Sequence, residues 1–135
     1  MKSKIDIGKD KSLLLKDGTI LDITNGKTIK QDILIHDGQI AKIGKIESKE
    51  NYHTINCTNN IITQSFVDIH SHFHTPGVGD QETLISGSNA ALSGGYSKVC
   101  VMPNTNPVID TPELVDFIID EARKLPIDIY PIGSI

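Results

Sequence analysis

Short apolar runs separated by Asp-Gly turns fill the first part of the chain, and apolar runs alternating with helical stripes fill the rest. Leu13-Leu14-Leu15 leads through Lys16-Asp17-Gly18 to Thr19-Ile20-Leu21, and Ile33-Leu34-Ile35 leads through His36-Asp37-Gly38 to Gln39-Ile40-Ala41. Asp-Gly between apolar runs signals a hairpin, because both turn positions favour positive φ. This part reads as a small β domain over residues 1–60. His36 beside a turn and His53 in the polar stretch from Glu47 to Asn60 read as surface residues. From Ile61 the rhythm becomes strand, helix, strand, helix, strand. The first helix is expected from near Asp80 or Glu82 to about Ser93, with Leu84, Ile85, Ser88, Ala91 and Leu92 on one face and Gly94-Gly95 stopping it. Val99 to Met102 reads as a short buried strand. Thr111 as N-cap, Pro112 in the first turn and Glu113 at the positive dipole end open a second helix, whose stripe is Leu114, Val115, Ile118, Ile119, Ala122 and Leu125. Ile127 to Ile132 reads as a third strand, so residues 61–135 form a β-α-β-α-β run with parallel strands.

Composition narrows the function classes. The chain has 135 residues, 38% hydrophobic and 22% charged, which is ordinary for a globular protein. A net charge of −4 with both signs interspersed lacks the basic stripe of a nucleic-acid surface and points to a small-molecule ligand. Cys57 and Cys100 have no close Cys or His neighbours, and Cys100 in Val99-Cys100-Val101-Met102 reads as a buried reduced thiol. No apolar signal core follows Met1 and no run reaches the length of a membrane span, so a soluble, cytoplasmic protein is expected.

The chemistry concentrates in Phe66-Val67-Asp68-Ile69-His70-Ser71-His72-Phe73-His74-Thr75-Pro76-Gly77. On a strand, alternate residues share a face, so Asp68, His70, His72 and His74 are expected on one side and Val67, Ile69 and Phe73 on the other. Pro76-Gly77 is expected to end the strand. Two imidazoles two residues apart reach a single divalent ion at about 2.0–2.1 Å each, and neutral imidazole suits zinc. In parallel α/β architectures functional groups gather at strand C-termini, where Pro103-Asn104-Thr105-Asn106-Pro107 also falls.

These residues carry a family resemblance. Asp68-x-His70-x-His72-Phe73 with Pro76-Gly77, then Glu82-Thr83, Ala90-Ala91, Gly94-Gly95 and Met102-Pro103-Asn104-Thr105, resemble the amidohydrolase superfamily and, within it, the dihydroorotases. The similarity runs from about Ile61 to Ile135. It implies an α/β fold: an incomplete TIM-type (β/α)8 barrel, about its first three strands, after a small β-sandwich-like domain. It implies a zinc-dependent hydrolase of a cyclic amide that interconverts dihydroorotate and N-carbamoyl-aspartate in pyrimidine synthesis. His70 and His72 would ligate zinc, as one or two ions, or another divalent metal. His72, His74 and Asn104 would contact substrate, and Asp68 would orient a ligand from behind. Homo-oligomers or aspartate carbamoyltransferase are the implied protein partners.

Four positions depart from the dihydroorotase pattern. His74 stands where these enzymes carry an Arg that clamps the substrate carboxylate, and an imidazole offers one donor where guanidinium offers a charged fork. Thr75 replaces a Glu, and Gln64-Ser65 replaces Pro-Gly. The bridging lysine or carboxylate, two further His ligands and the catalytic Asp of the family come from later strands, so no catalytic residue is assigned here. Residues 1–135 are therefore expected to be an N-terminal fragment, inactive and marginally folded alone. Two other readings fit the same residues: a non-catalytic dihydroorotase-like scaffold subunit, and a hydantoinase- or allantoinase-like amidohydrolase.

Overall fold

The computed structural model describes residues 12–77 and 82–135, so the expected helix start at Asp80 lies outside the described residues. Contacts group the chain into two units, Met1–Gln64 and Ser65–Ile135.

The first unit is a mixed sheet of β1 (Ser12–Asp22), β2 (Lys27–His36), β3 (Gln39–Gly44), β4 (Tyr52–Asn56) and the short β5 (Ile61–Ile62). Strand order is β3-β2-β1-β4, with β5 also on β1. The β2–β3 hairpin turns at Asp37-Gly38, with φ of 48° and 72°, as its Asp-Gly signal predicts. Asp17-Gly18 does not turn the chain. It lies inside β1, where the register with β2 shifts between Leu15 and Gly18. The reason is tertiary. The buried Asp32 carboxylate accepts the Asp17 N–H at 2.8 Å and the Ile46 N–H at 2.9 Å, and meets Lys16 Nζ at 3.2 Å. Gly18 is packed so closely on Ile62 that a Cβ would come within 2.9 Å of its Cγ1. The reversal comes later, at residues 23–26, where Asp22 Oδ1 accepts the N–H groups of Thr24 and Asn25. Tyr52–Asn56, within the stretch read as polar connection, pairs parallel with β1. His36 and His53 are exposed, as expected.

The second unit alternates β6 (Phe66–Ser71), α1 (Leu84–Ser93), β7 (Tyr96–Val101), α2 (Pro112–Ala122) and β8 (Asp128–Pro131). Its three strands are parallel in the order β6-β7-β8. Thr83 caps α1 through a reciprocal pair with Ser86, and Thr111 caps α2, whose Pro112 opens the helix. The core holds Phe73, Leu84, Val99, Val101, Ile109, Ile118, Ala122, Ile127 and Ile129. Ile118 is fully buried, worth about 1.5–3 kcal/mol of transfer free energy.

Three sequence expectations change here. Ile85 and Leu92 of α1 are exposed, and the buried positions are Leu84, Gly87 and Ser88, because Phe73 lies against Gly87 and turns the helix toward it. Cys57 is the buried thiol, whereas Cys100 is half-buried, since Val99 and Val101 take the core face of β7 and leave Cys100 on the other. Finally, β6 ends at Ser71 rather than at Pro76. No helix among the described residues is long and apolar enough to cross a membrane.

Candidate metal centre

The end of β6 sets the geometry. Asp68 pairs with Val99 and Ser71 with Val101, so three steps on β6 match two on β7. An extra residue in one strand switches which side later residues face. Asp68 and Ser71 therefore share the side of the core residues Val99 and Val101, and with Phe73 and Gly87 they line one cleft against α1. His70, within the irregular step, is exposed. The expected common face for Asp68, His70, His72 and His74 is thus broken by the bulge. So is the expected grouping of Val67, Ile69 and Phe73: Phe73 is in the core, while Val67 and Ile69 are exposed.

His70 and His72 converge across that break. Their Nε2 atoms are 3.2 Å apart, and the rings lie 5.1 Å apart at 55°. Two nitrogens each about 2.0–2.1 Å from one tetrahedral ion would be separated by about 3.3–3.4 Å, so this pair already has the spacing of two ligands on one metal. Asn104, in the segment after β7, brings its Oδ1 to 2.9 Å from His72 Nδ1. The Ser71–Val101 register places residues 72–74 alongside 102–104, and the Met102 N–H bonds the Ser71 carbonyl at 2.8 Å. A separation of 32 residues hides this contact from local sequence patterns. Only the strand pairing reveals it.

Asp68 stands behind the pair. Its Oδ1 accepts the His70 backbone N–H at 2.9 Å. That bond, with a further one from the Ser71 hydroxyl, holds the carboxyl below the ordinary aspartate range. His74 lies outside this chain of contacts. Its backbone N–H donates to the Glu82 carbonyl at 2.6 Å, and its Nδ1 is buried with no hydrogen-bond partner among the described residues. Thr75, which stands where the family pattern carries a Glu, accepts the Leu84 N–H through Oγ1 at 3.3 Å and so ties this segment to the start of α1. Among the described residues no three His, Cys, Asp or Glu side chains converge on one point. His70 and His72 therefore fit a metal as two ligands of a set that, for catalytic zinc, usually numbers three from the protein.

Known proteins share this fold. D-hydantoinase superposes with a TM-score of 0.73 at 25% identity, over 92% of this chain and 28% of that one. L-hydantoinase (dihydropyrimidinase) from Arthrobacter aurescens superposes with a TM-score of 0.75 at 21% identity, over the same shares of the two chains. In sequence, a dihydroorotase of Caldicellulosiruptor saccharolyticus is 40% identical over 126 residues, 91% of this chain and 29% of the relative. A dihydroorotase of Ligilactobacillus salivarius is 45% identical over 106 residues, 76% of this chain and 24% of the relative. The chain thus spans less than a third of the length of these relatives. The family model described as dihydro-orotase-like matches residues 59–134, which take in β6, both histidines and the Asn104 segment. With more than half of its length matched in that way, the chain belongs to the dihydroorotase-like family.

Proposed function

We propose that this chain forms part of a metal-dependent hydrolase of a cyclic amide, a dihydroorotase that interconverts dihydroorotate and N-carbamoyl-aspartate. The observation that carries the reading is the 3.2 Å approach of His70 Nε2 and His72 Nε2 at the C-terminal end of β6. In the proposal His70 and His72 hold a zinc ion, or one ion of a pair. The chemistry such an ion supplies when bound is Lewis acidity toward a ring carbonyl and acidification of water. The chain's own residues do the placing. The Asp68 carboxylate fixes the backbone at His70. Asn104 keeps its Nδ2 amide, two donors, for a substrate carboxylate, and His72 and His74 border the same substrate. The second unit, β6 through β8, supplies the first three strands of a (β/α)8 barrel, and the first unit supplies part of a β-sandwich. A homo-oligomer, or assembly with aspartate carbamoyltransferase, belongs to the same reading.

A second reading is favoured by the structural likeness to D-hydantoinase and dihydropyrimidinase, together with His74 where dihydroorotases carry Arg. A site without a charged fork suits a ring amide that lacks a carboxylate. One experiment addresses both. The whole enzyme of which this chain is proposed to form part is purified, its zinc counted, and hydrolysis of dihydroorotate, hydantoin and dihydrouracil compared before and after the paired substitution His70→Ala, His72→Ala. The proposal expects zinc and turnover to vanish together in the variant, with dihydroorotate the best substrate of the parent. Zinc content untouched by the paired substitution would sink the metal assignment, and preference for an uncharged ring would move the activity to the second reading.

A further inference from the structure

Asn104 does more than face a ligand. A carboxamide oxygen only accepts, so the 2.9 Å contact from Asn104 Oδ1 requires the proton of His72 to sit on Nδ1 and leaves the lone pair on Nε2. That Nε2 is the atom 3.2 Å from His70 Nε2. We infer that Asn104 is a positioning residue whose carbonyl locks His72 in the Nδ1–H tautomer and holds its ring so that Nε2 is presented, beside His70 Nε2, to one divalent ion.

The loop is built to hold such a prop still. The Pro103 carbonyl accepts the Thr105 N–H at 2.8 Å and the Ile109 N–H at 3.2 Å. Thr105 Oγ1 donates to the Pro107 carbonyl at 2.7 Å, and the Asn106 N–H reaches the Pro76 carbonyl at 3.2 Å. Asn104 thus rides on a segment pinned on both sides, and ordering His72 through it costs little additional entropy. Without the carbonyl the imidazole is free to rotate and to exchange tautomers. Apparent affinity then falls by the fraction of chains that hold the competent form. The two histidines also play unequal parts. Asn104 Oδ1 holds the His72 ring itself, whereas His70 is held only through its backbone N–H on Asp68 Oδ1.

The inference rests on the metal-centre reading, and the test separates the two. In the whole enzyme, nitrogen-15 NMR of the histidines without metal should show His72 as Nδ1–H; finding it as Nε2–H overturns the proposal with no variant needed. Competition for zinc against a chromophoric chelator should show Asn104→Ala binding about 10–100-fold more weakly. Asn104→Asp keeps the acceptor and loses the amide donor, so it should bind zinc at least as tightly as the parent. Were Asn104 to act on substrate alone, both variants would raise KM and neither would move zinc affinity, which would also overturn the inference. A parent chain whose zinc binding ignores His70→Ala and His72→Ala removes the metal centre itself, and the inference falls with it. The tautomer signal would still report whether the Asn104–His72 bond exists.

Discussion

Gly87 shows how one side-chain position connects packing to the candidate site. A Cβ built there would fall 2.6 Å from Phe73 Cζ and 2.7 Å from its Cδ1. Phe73 is itself in the core, between His72 and His74 in sequence. In a free helix Gly→Ala gains about 1 kcal/mol. Here overpacking at a buried ring costs about 1–3 kcal/mol and should win. Gly87→Ala is therefore expected to lower the unfolding free energy by up to about 2 kcal/mol in urea titrations, and to weaken zinc binding because a displaced Phe73 drags His72 with it. A stabilised variant would show that the ring has room to move. Leu or Ile at position 87 would be worse still.

At the scale of an element, Asp32 of β2 organises the first sheet. Its carboxylate holds the bulge of β1 through the Asp17 N–H and the chain after β3 through the Ile46 N–H. The Asp17 amide is the main reason its pKa lies below the ordinary aspartate value, with the Ile46 amide and Lys16 adding to it and burial opposing. A depressed carboxyl pKa stabilises the fold fully above the unfolded value, about 3.9, and that contribution is lost as pH falls through the lower folded value. Asp32→Asn should cost on the order of 1–3 kcal/mol at pH 7, where an amide must set a donor against the backbone N–H groups. It should also flatten the acid limb, so parent and variant converge between pH 5 and pH 2. Urea midpoints measured across that range check the sign, and a gap that widened on acidification would contradict it.

For the whole molecule, the informative surfaces are those left apolar. In the second unit Val67, Ile69 and Tyr130 are 56%, 74% and 47% exposed. In the first unit a concave sheet face of about 400 Å³ is lined by Leu15, Ile20, Ile29, Ile33, Ile35 and Ile62 among others. Apolar side chains gathered on an exposed face mark candidate interaction surfaces. A polypeptide of these 135 residues is expected to bind a hydrophobic dye strongly, to elute above its 14.7 kDa mass and to leave dihydroorotate unhydrolysed. A sharp monomeric peak without dye binding would show that both faces are tolerated as they stand.

Much of this was written locally. Thr111-Pro112-Glu113 and its apolar stripe marked α2, Asp37-Gly38 marked one hairpin, and the spacing of His70 and His72 marked the candidate site, because caps, turns and periodicity act over a few residues. Other features were legible only partly. Asp17-Gly18 carries the same turn signal as Asp37-Gly38 yet stays inside a strand, because Asp32 and Ile62, distant in sequence, hold it there. Strand alternation predicted one face for Asp68, His70, His72 and His74, and a bulge divided them, since register is fixed by pairing with β7 and not by β6 alone. The sequence by itself determined which side chains are available for the chemistry and roughly where the strands and helices lie. Only the tertiary structure decided that Asn104 stands behind His72, because that contact, between residues 32 apart, depends on how parallel strands align across the intervening chain.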